Sequence, residues 1–441
     1  MNHPLAVFWF RRDLRLQDNA GLFQALSSGL PVLPLFIFDK KILDHLEDKD
    51  DARLTFIYSA LEKLQQQLIE AGTTLLAFQA DPATAFTYLL SQYPIKAVYT
   101  NGDYEPYARQ RDGQIETTLA RKGVTFHSCK DQVIFEKSEV AKDDGSPYGV
   151  YTPYYKRWMK TFTPEACKPF GSEALTGNFW KEGPQPMPSL EAMGFTRNDA
   201  PLQFRMPARS IIKDYDKTRD IPSLPGTTRL GIHLRFGTVS IRKLVASAWT
   251  LNETFLKELV WREFFMQLLW HQPRLEKEAC KTEYDDIEWR NNEAEFQQWC
   301  EGATGYPIVD AGMRQLNATG FMHNRVRMVA ASFLVKHLLI DWRWGEAYFA
   351  RKLLDFDLAA NNGNWQWVAG CGCDAAPYFR IFNPTAQADR FDKKEAYIKQ
   401  WVPEYGTPHY PPPMVEHKLA IARCLAAYKK ALGQKQLALF K

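Results

Sequence analysis

Apolar and polar positions follow two rhythms along the chain, and the rhythm changes near residue 130. Before it, short β-rich runs at residues 5–10, 32–38, 74–78, 97–99 and 124–128 are mostly flanked by turn residues or charges. Between them, residues 51–71, 82–91 and 109–122 carry apolar stripes at helical spacing. Asp81 followed by Pro82 predicts an N-cap and a proline at the first helical position. Strands alternating with helices predict a parallel sheet covered by helices. Residues 131–204 read differently: SEVAKDDGSPYGVYTPYYKRW and EGPQPMPSL are rich in Pro, Gly, Ser and Tyr, as a long surface connector would be. From about 205 helical periodicity takes over, and an amphipathic helix is expected from His417 to Lys441. The pattern predicts an α/β domain over 1–130, a connector over 131–204 and an all-α domain over 205–441.

Composition changes this picture little. Of 441 residues 45% are hydrophobic and 24% charged, ordinary for a globular protein with ample core. The net charge of +4 is only mildly basic, so contact with nucleic acid has to come from local clustering. Aromatic content is high, at 14% with 13 Trp and 19 Tyr, enough to supply stacking surfaces as well as core. No secretory signal or membrane-length apolar run is present, which predicts a cytoplasmic protein. Seven scattered cysteines argue against a disulfide framework, and Cys371 and Cys373 read as small buried residues with no metal-ligand spacing. No G-x-G-x-x-G follows the first strand, so a dinucleotide is not expected there.

The most informative stretch is 355–384, DFDLAANNGNWQWVAGCGCDAAPYFRIFNP. Asp355, Asp357, Asn361, Asn362 and Asn364 offer the donors and acceptors that a uracil-like ring edge requires. Trp365 and Trp367 offer oxidisable stacking surfaces. Composition alone leaves a capped turn between helices as an equal alternative. The run NNGNWQW…DAAPYFRIFNP, with FWFRRDLRLQDN near the start and MVEHK near the end, resembles the photolyase/cryptochrome family over most of the chain. The resemblance implies a Rossmann-like parallel-sheet N-terminal domain and an all-α C-terminal domain holding non-covalent FAD, active when reduced. It is closest to photolyases acting on cyclobutane pyrimidine dimers, which split a flipped-out dimer in light by electron transfer from excited FAD.

Several residues are carried over by their place in matching motifs. In the family a TSRLS-type run holds the cofactor's diphosphate, and Thr227, Thr228, Arg229 and Leu230 resemble it, departing at Thr228 and Gly231. Tyr215 and Arg219 match a Y-x-x-x-R-D motif, the Tyr towards cofactor and the Arg towards DNA. Glu258, Trp261, Asn324, Met328 and Trp367 match the dimer pocket, with Asn361 facing the flavin N5. Phe255, Glu258, Arg262, Asn324, Arg327, Asp355, Asp357 and Asn361 are implied in holding FAD. Trp365, Trp342 and Trp289 match a photoreducing electron-transfer chain, and Arg325 and Arg380 join Arg219, Trp261, Met328 and Trp367 as DNA contacts. Members acting on (6-4) lesions carry His at the positions of Asn324 and Met328, and DASH-type members carry Gln at the latter. Plant and animal cryptochromes place Asp and Cys at Asn361, so the amide favours repair. UV-damaged DNA is then the expected partner of a monomer with no obligate protein partner and no metal.

Two readings compete with it. A cryptochrome-type blue-light photoreceptor would share the cofactor without repair, but the short tail beyond His417, Asn361 and the full pocket match speak against it. A generic flavin oxidoreductase would need a nicotinamide signature. An antenna chromophore remains open: Tyr107 and Ala108 in DYEPYARQRD stand where folate-type members carry Asn-Glu, so a deazaflavin or flavin type is favoured if one is bound.

Overall fold

The computed structural model describes residues 3–198 and 208–437 and divides into two compact units. The first comprises Met1–Val140, Trp158–Phe204 and Leu230–Thr250; the second comprises Ala141–Arg157, Arg205–Arg229 and Leu251–Lys441. The chain therefore passes from one unit to the other more than once.

In the first unit five parallel strands form one sheet in the order β3-β2-β1-β4-β5, with β1 at Leu5–Phe10, β2 at Val32–Asp39, β3 at Leu76–Ala80, β4 at Ile95–Asn101 and β5 at Thr125–Cys129. β1 is buried along its whole length because helices cover both faces of the sheet. Its alternation divides the core: Ala6, Phe8 and Phe10 pack with Leu54, Leu61, Leu64 and Leu68 of α1 (Ala52–Glu70). Leu5, Val7 and Trp9 pack with Phe86 and Leu89 of α2 (Pro82–Gln92) and Ile115 and Leu119 of α3 (Pro106–Ala120). The five strands and these three helices lie within a few residues of their predicted positions, while the short helix Ala20–Leu26 was not predicted. Asp81 is the N-cap of α2 with Pro82 in the first turn, although its side chain makes no capping hydrogen bond.

Residues 230–250 join this unit through buried charge. Arg242 donates from Nε to Asp18 Oδ1 (2.8 Å) and from Nη2 to Asp131 Oδ1 (2.8 Å), and Arg15 Nη2 donates to Asp131 Oδ2 (2.7 Å). Burial alone would raise the Asp131 carboxyl, but Arg15 and Arg242 outweigh it and hold the group below the usual carboxylate range.

The second unit is helical. The stretch expected to be connector holds a helix, Tyr151–Thr161, of which the part up to Arg157 belongs to this unit; its Tyr154 and Trp158 are fully buried. The helix predicted from His417 is broken at Gly433, which has φ of 68°, with helix on either side up to Leu437; residues 438–441 lie outside the described residues. One expectation is corrected: Cys373 is bonded to Cys280, while Cys371 is free and buried as predicted. The two bonded cysteines lie 93 positions apart, so local spacing carries no trace of the pairing.

Arg242→Met would leave Asp18 without its guanidinium and Asp131 with Arg15 alone. A loss of about 3–5 kcal/mol is expected in urea denaturation. That loss shrinks in acid, because a protonated carboxyl no longer needs the cation: Asp131 contributes stability above its unfolded pKa and loses it as pH falls through its lowered folded value.

Candidate active site

Four helices of the second unit contribute side chains to one cleft of about 400 Å³. In α4 (Glu253–His271), Glu258, Trp261, Arg262 and Phe265 line it, spaced i, i+3, i+4 and i+7. In α5 (Asn324–Ser332), Asn324, Arg327, Met328 and Ala331 repeat the same spacing. α6 (Trp342–Lys352) contributes Phe349, and α7 (Leu358–Ala369) contributes Ala360, Asn361, Asn364, Trp365, Trp367 and Val368. Local caps fix these helix starts. Asn252 accepts from Phe255 N (3.0 Å), His323 Nδ1 from Arg325 N (3.2 Å), and Asp357 from Ala360 N (3.4 Å). Gly370 ends α7 with φ of 91°, a left-handed conformation that suits glycine.

The charges on the cleft wall are paired. Arg219 Nη1 donates to Glu258 Oε1. Burial nonetheless dominates, and the Glu258 carboxyl is raised above its ordinary value despite the guanidinium beside it. Arg327 donates through Nε to Met322 O (2.7 Å) and through Nη2 to Asp355 Oδ2 (3.0 Å). The other carboxylate oxygen, Asp355 Oδ1, is buried with no partner, an acceptor held ready for a donor the protein does not supply. Asn361 commits its Nδ2 to Glu346, at 3.1 Å from the carbonyl and 2.7 Å from Oε1, which leaves Oδ1 as its remaining hydrogen-bonding atom. Trp261 is backed by Tyr151, whose ring stacks on it at 3.6 Å and 9°.

Thirteen of the residues singled out in the sequence thus meet here: Arg219, Glu258, Trp261, Arg262, Asn324, Arg327, Met328, Asp355, Asp357, Asn361, Asn364, Trp365 and Trp367. Others stand beside the cleft lining. Tyr215 packs against buried Phe255 (5.2 Å) and lies under the Arg219 guanidinium (5.5 Å). Thr227 and Thr228 are half-buried, and Arg229 adopts φ of 51° with its guanidinium over Phe321. Leu230 is buried and belongs to the first unit. Arg325 pairs with Asp220 (2.7 Å) and covers Phe391, and exposed Arg380 lies 5.8 Å from the Trp367 ring centre. Trp365 packs on Phe349 (5.0 Å) and Trp299 (6.2 Å), Trp342 is buried under Arg343, and Trp289 is half-buried beside Tyr428. Glu346 and Tyr151 escaped the sequence reading. Glu346 could have been found, because it lies four residues after Trp342 in α6; Tyr151 is remote in sequence.

Among the described residues no cluster of three or more His, Cys, Asp or Glu could hold a metal, and no helix is long and apolar enough to cross a membrane. Residues 6–171 match the model of DNA photolyase, and residues 255–408 match that of the FAD binding domain of DNA photolyase. A deoxyribodipyrimidine photo-lyase from Synechococcus sp. is 37% identical, covering 96% of both chains.

This chain belongs to the DNA photolyase family.

Solved structures of family members agree. A bacterial class III photolyase from Agrobacterium tumefaciens superposes with a TM-score of 0.87 at 33% identity, covering 98% of each chain. An archaeal photolyase from Sulfolobus tokodaii, solved with two FAD molecules, gives 0.83 at 34%, covering 96% of this chain and 99% of that one. The two-domain α/β and helical architecture is that of the family, and the matched FAD binding domain spans the helices that form the cleft.

The pairing of Glu346 with Asn361 is directly measurable. Burial raises the Glu346 carboxyl, the hydrogen bond from Asn361 lowers it, and Glu276 nearby raises it again. Stability linked to this group is greatest in acid and declines as pH rises from the usual carboxylate value through the raised one. Asn361→Ala removes the lowering contribution, so the infrared carbonyl band of protonated Glu346 should persist to higher pH than in the parent.

Proposed function

We propose that this chain repairs cyclobutane pyrimidine dimers in UV-damaged DNA in light, using non-covalent FAD held in the helical cleft. The observation that carries the reading is the wall on which Glu258, Trp261, Asn324, Met328 and Trp367 meet Asn361. Reduced FAD, when bound and excited, supplies the electron that splits the dimer. The cleft suits such a group: Asp355 Oδ1 is an unused acceptor, Arg327 brings a cation, and Asp357 offers a carboxylate for an imide edge. Asn361 would present its amide oxygen to an N–H of the ring without itself titrating near neutral pH.

The remaining residues act on the DNA. Trp261 and Trp367 offer stacking faces to an extruded pair of pyrimidines, and Met328 and Phe356 keep that space apolar. Glu258 hydrogen-bonds a pyrimidine carbonyl or imide, and its raised pKa favours the protonated, donating form as negative charge develops on the dimer. Extrusion costs less where the lesion already weakens pairing, which gives selectivity for damage. Trp289, Trp342 and Trp365 would carry electrons inward during photoreduction, passing from a half-buried ring to a buried one and then to the ring that lines the cleft. Arg219, Arg325 and Arg380 would contact backbone phosphates. Thr227, Thr228 and Arg229 would meet the cofactor's diphosphate, with Tyr215 and Phe255 beside it. The protein would act as a cytoplasmic monomer without an obligate protein partner.

For an antenna we favour a deazaflavin or flavin over a folate. Tyr107 and Ala108, standing where folate-type members carry Asn-Glu, support this, as do the two FAD molecules of the Sulfolobus tokodaii relative.

The deciding experiment is near-UV illumination of a dimer-containing thymine oligonucleotide with the chemically reduced protein, following recovery of thymine absorbance. Recovery that requires both light and reduction supports repair; bound, reducible FAD without recovery moves the assignment to a photoreceptor. Glu258→Gln should keep FAD and dimer binding but slow repair. Arg380→Ala should weaken binding to all sequences alike and reduce the slope of log affinity against log salt by about one.

A further inference from the structure

The sulfur chemistry of this chain is concentrated at one place. Cys129, Cys167, Cys300, Cys371 and Cys424 are all buried, and burial pushes the Cys129 thiol up to about 11 and those of Cys300 and Cys371 up to about 12. Cys280 and Cys373 are half-buried, and they form the disulfide. The pair within reach of a solute is the bonded pair.

The bridge sits at a mechanical junction. Cys280 follows α4, the helix of Glu258 and Trp261, after a short 3-10 turn at Pro273–Glu276. Cys373 follows α7, the helix of Asn361 and Trp367, and opens the segment 372–383, which contains neither helix nor strand. Gln366 braces the near side: its Oε1 accepts from Cys280 N (2.8 Å) and its Nε2 donates to Glu278 O (3.1 Å). On the far side Asp374, next to Cys373, accepts through Oδ2 from Tyr151 N (3.1 Å) at the start of the Tyr151–Thr161 helix. Tyr151 donates its hydroxyl to Lys257 O (2.9 Å) and lays its ring flat on Trp261 at 3.6 Å. A cavity of about 20 Å³, enough for one water, is lined by both cysteines with Phe265, Leu268, Ala359 and Trp367.

We propose that the Cys280–Cys373 bridge is a reducible latch on the lesion-binding wall. Closed, it fixes Asp374, which holds Tyr151 against Trp261; opened, it frees residues 372–375, up to the buried Ala376, and lets the Trp261 face move, so affinity for dimer-containing DNA falls. Tyr151 is a positioning residue that acts through Trp261. The reductant is a dithiol: its two sulfurs form a new disulfide, the Cys280–Cys373 bond breaks, and two electrons and two protons pass to the cysteines. The inference that the wall binds a lesion rests on the repair reading; the latch itself is testable apart from it.

The test uses the full chain with FAD bound, treated with oxidised glutathione or with dithiothreitol. Mass spectrometry after thiol labelling should find Cys280 and Cys373 protected in the first state and labelled in the second, with FAD content equal. Anisotropy with a dimer-containing oligonucleotide should show affinity about tenfold weaker after reduction. Cys280→Ser and Cys373→Ser should bind like the reduced form whatever the buffer, and Tyr151→Ala should bind weakly and no longer respond to reductant. Hydrogen exchange should quicken on reduction in residues 372–375 and in the peptide carrying Trp261. Equal affinities in proven closed and open states would overturn the latch, as would a bridge that never forms under oxidation. If neither state prefers damaged over undamaged DNA, the repair reading fails, and the exchange data alone decide the latch: a difference at Trp261 supports it and its absence rejects it.

Discussion

Burying charge beside a partner is the constraint on which both units rest. Taking a carboxylate from water costs several kcal/mol unless a cation and hydrogen bonds accompany it. In the first unit Asp18 and Asp131 are accompanied by Arg15 and Arg242, and they hold residues 230–250 against the sheet. In the second, Glu258 is accompanied by Arg219 and Asp355 by Arg327. The two cases end differently. The first network satisfies its groups and is structural, whereas the cleft keeps a raised carboxyl at Glu258 and an unmatched oxygen at Asp355. A wall that is paired from behind and incomplete in front is organised for something that arrives later.

Much of this was legible in the sequence because it depends on period. β1 alternates between two helix layers, and the helical runs of the first unit recur near their expected positions. The cleft was legible for a related reason: α4 and α5 each deliver their residues at i, i+3, i+4 and i+7, and one helix face is readable from spacing alone. The motif likeness added which chemistry those faces serve.

What was not legible is whatever joins distant positions. Cys280 and Cys373 lie in unrelated local contexts, and nothing about either predicts the other. Tyr151 sits in a stretch whose Pro, Gly and Tyr content reads as linker, yet a helix forms there because Tyr154 and Trp158 have cores to enter. Glu346 is hidden differently: it lies within the helical periodicity that begins near 205, but its hydrogen bond to Asn361 requires two helices to pack. Arg242 reads as an ordinary helix residue until Asp18 and Asp131 are placed beside it.

The interleaving of the two units also bears on how the chain is made. The sheet and its helices are complete by Cys129, but the guanidinium that neutralises Asp18 and shares Asp131 arrives only at Arg242. A ribosome adding about 5–20 residues per second takes several seconds to cross that gap. During that interval Asp18 lacks Phe170, Ser240 and Arg242, the later residues that hydrogen-bond its carboxylate. The first unit therefore closes late, after part of the second has already emerged, and no cut between consecutive residues separates the chain into two self-sufficient pieces.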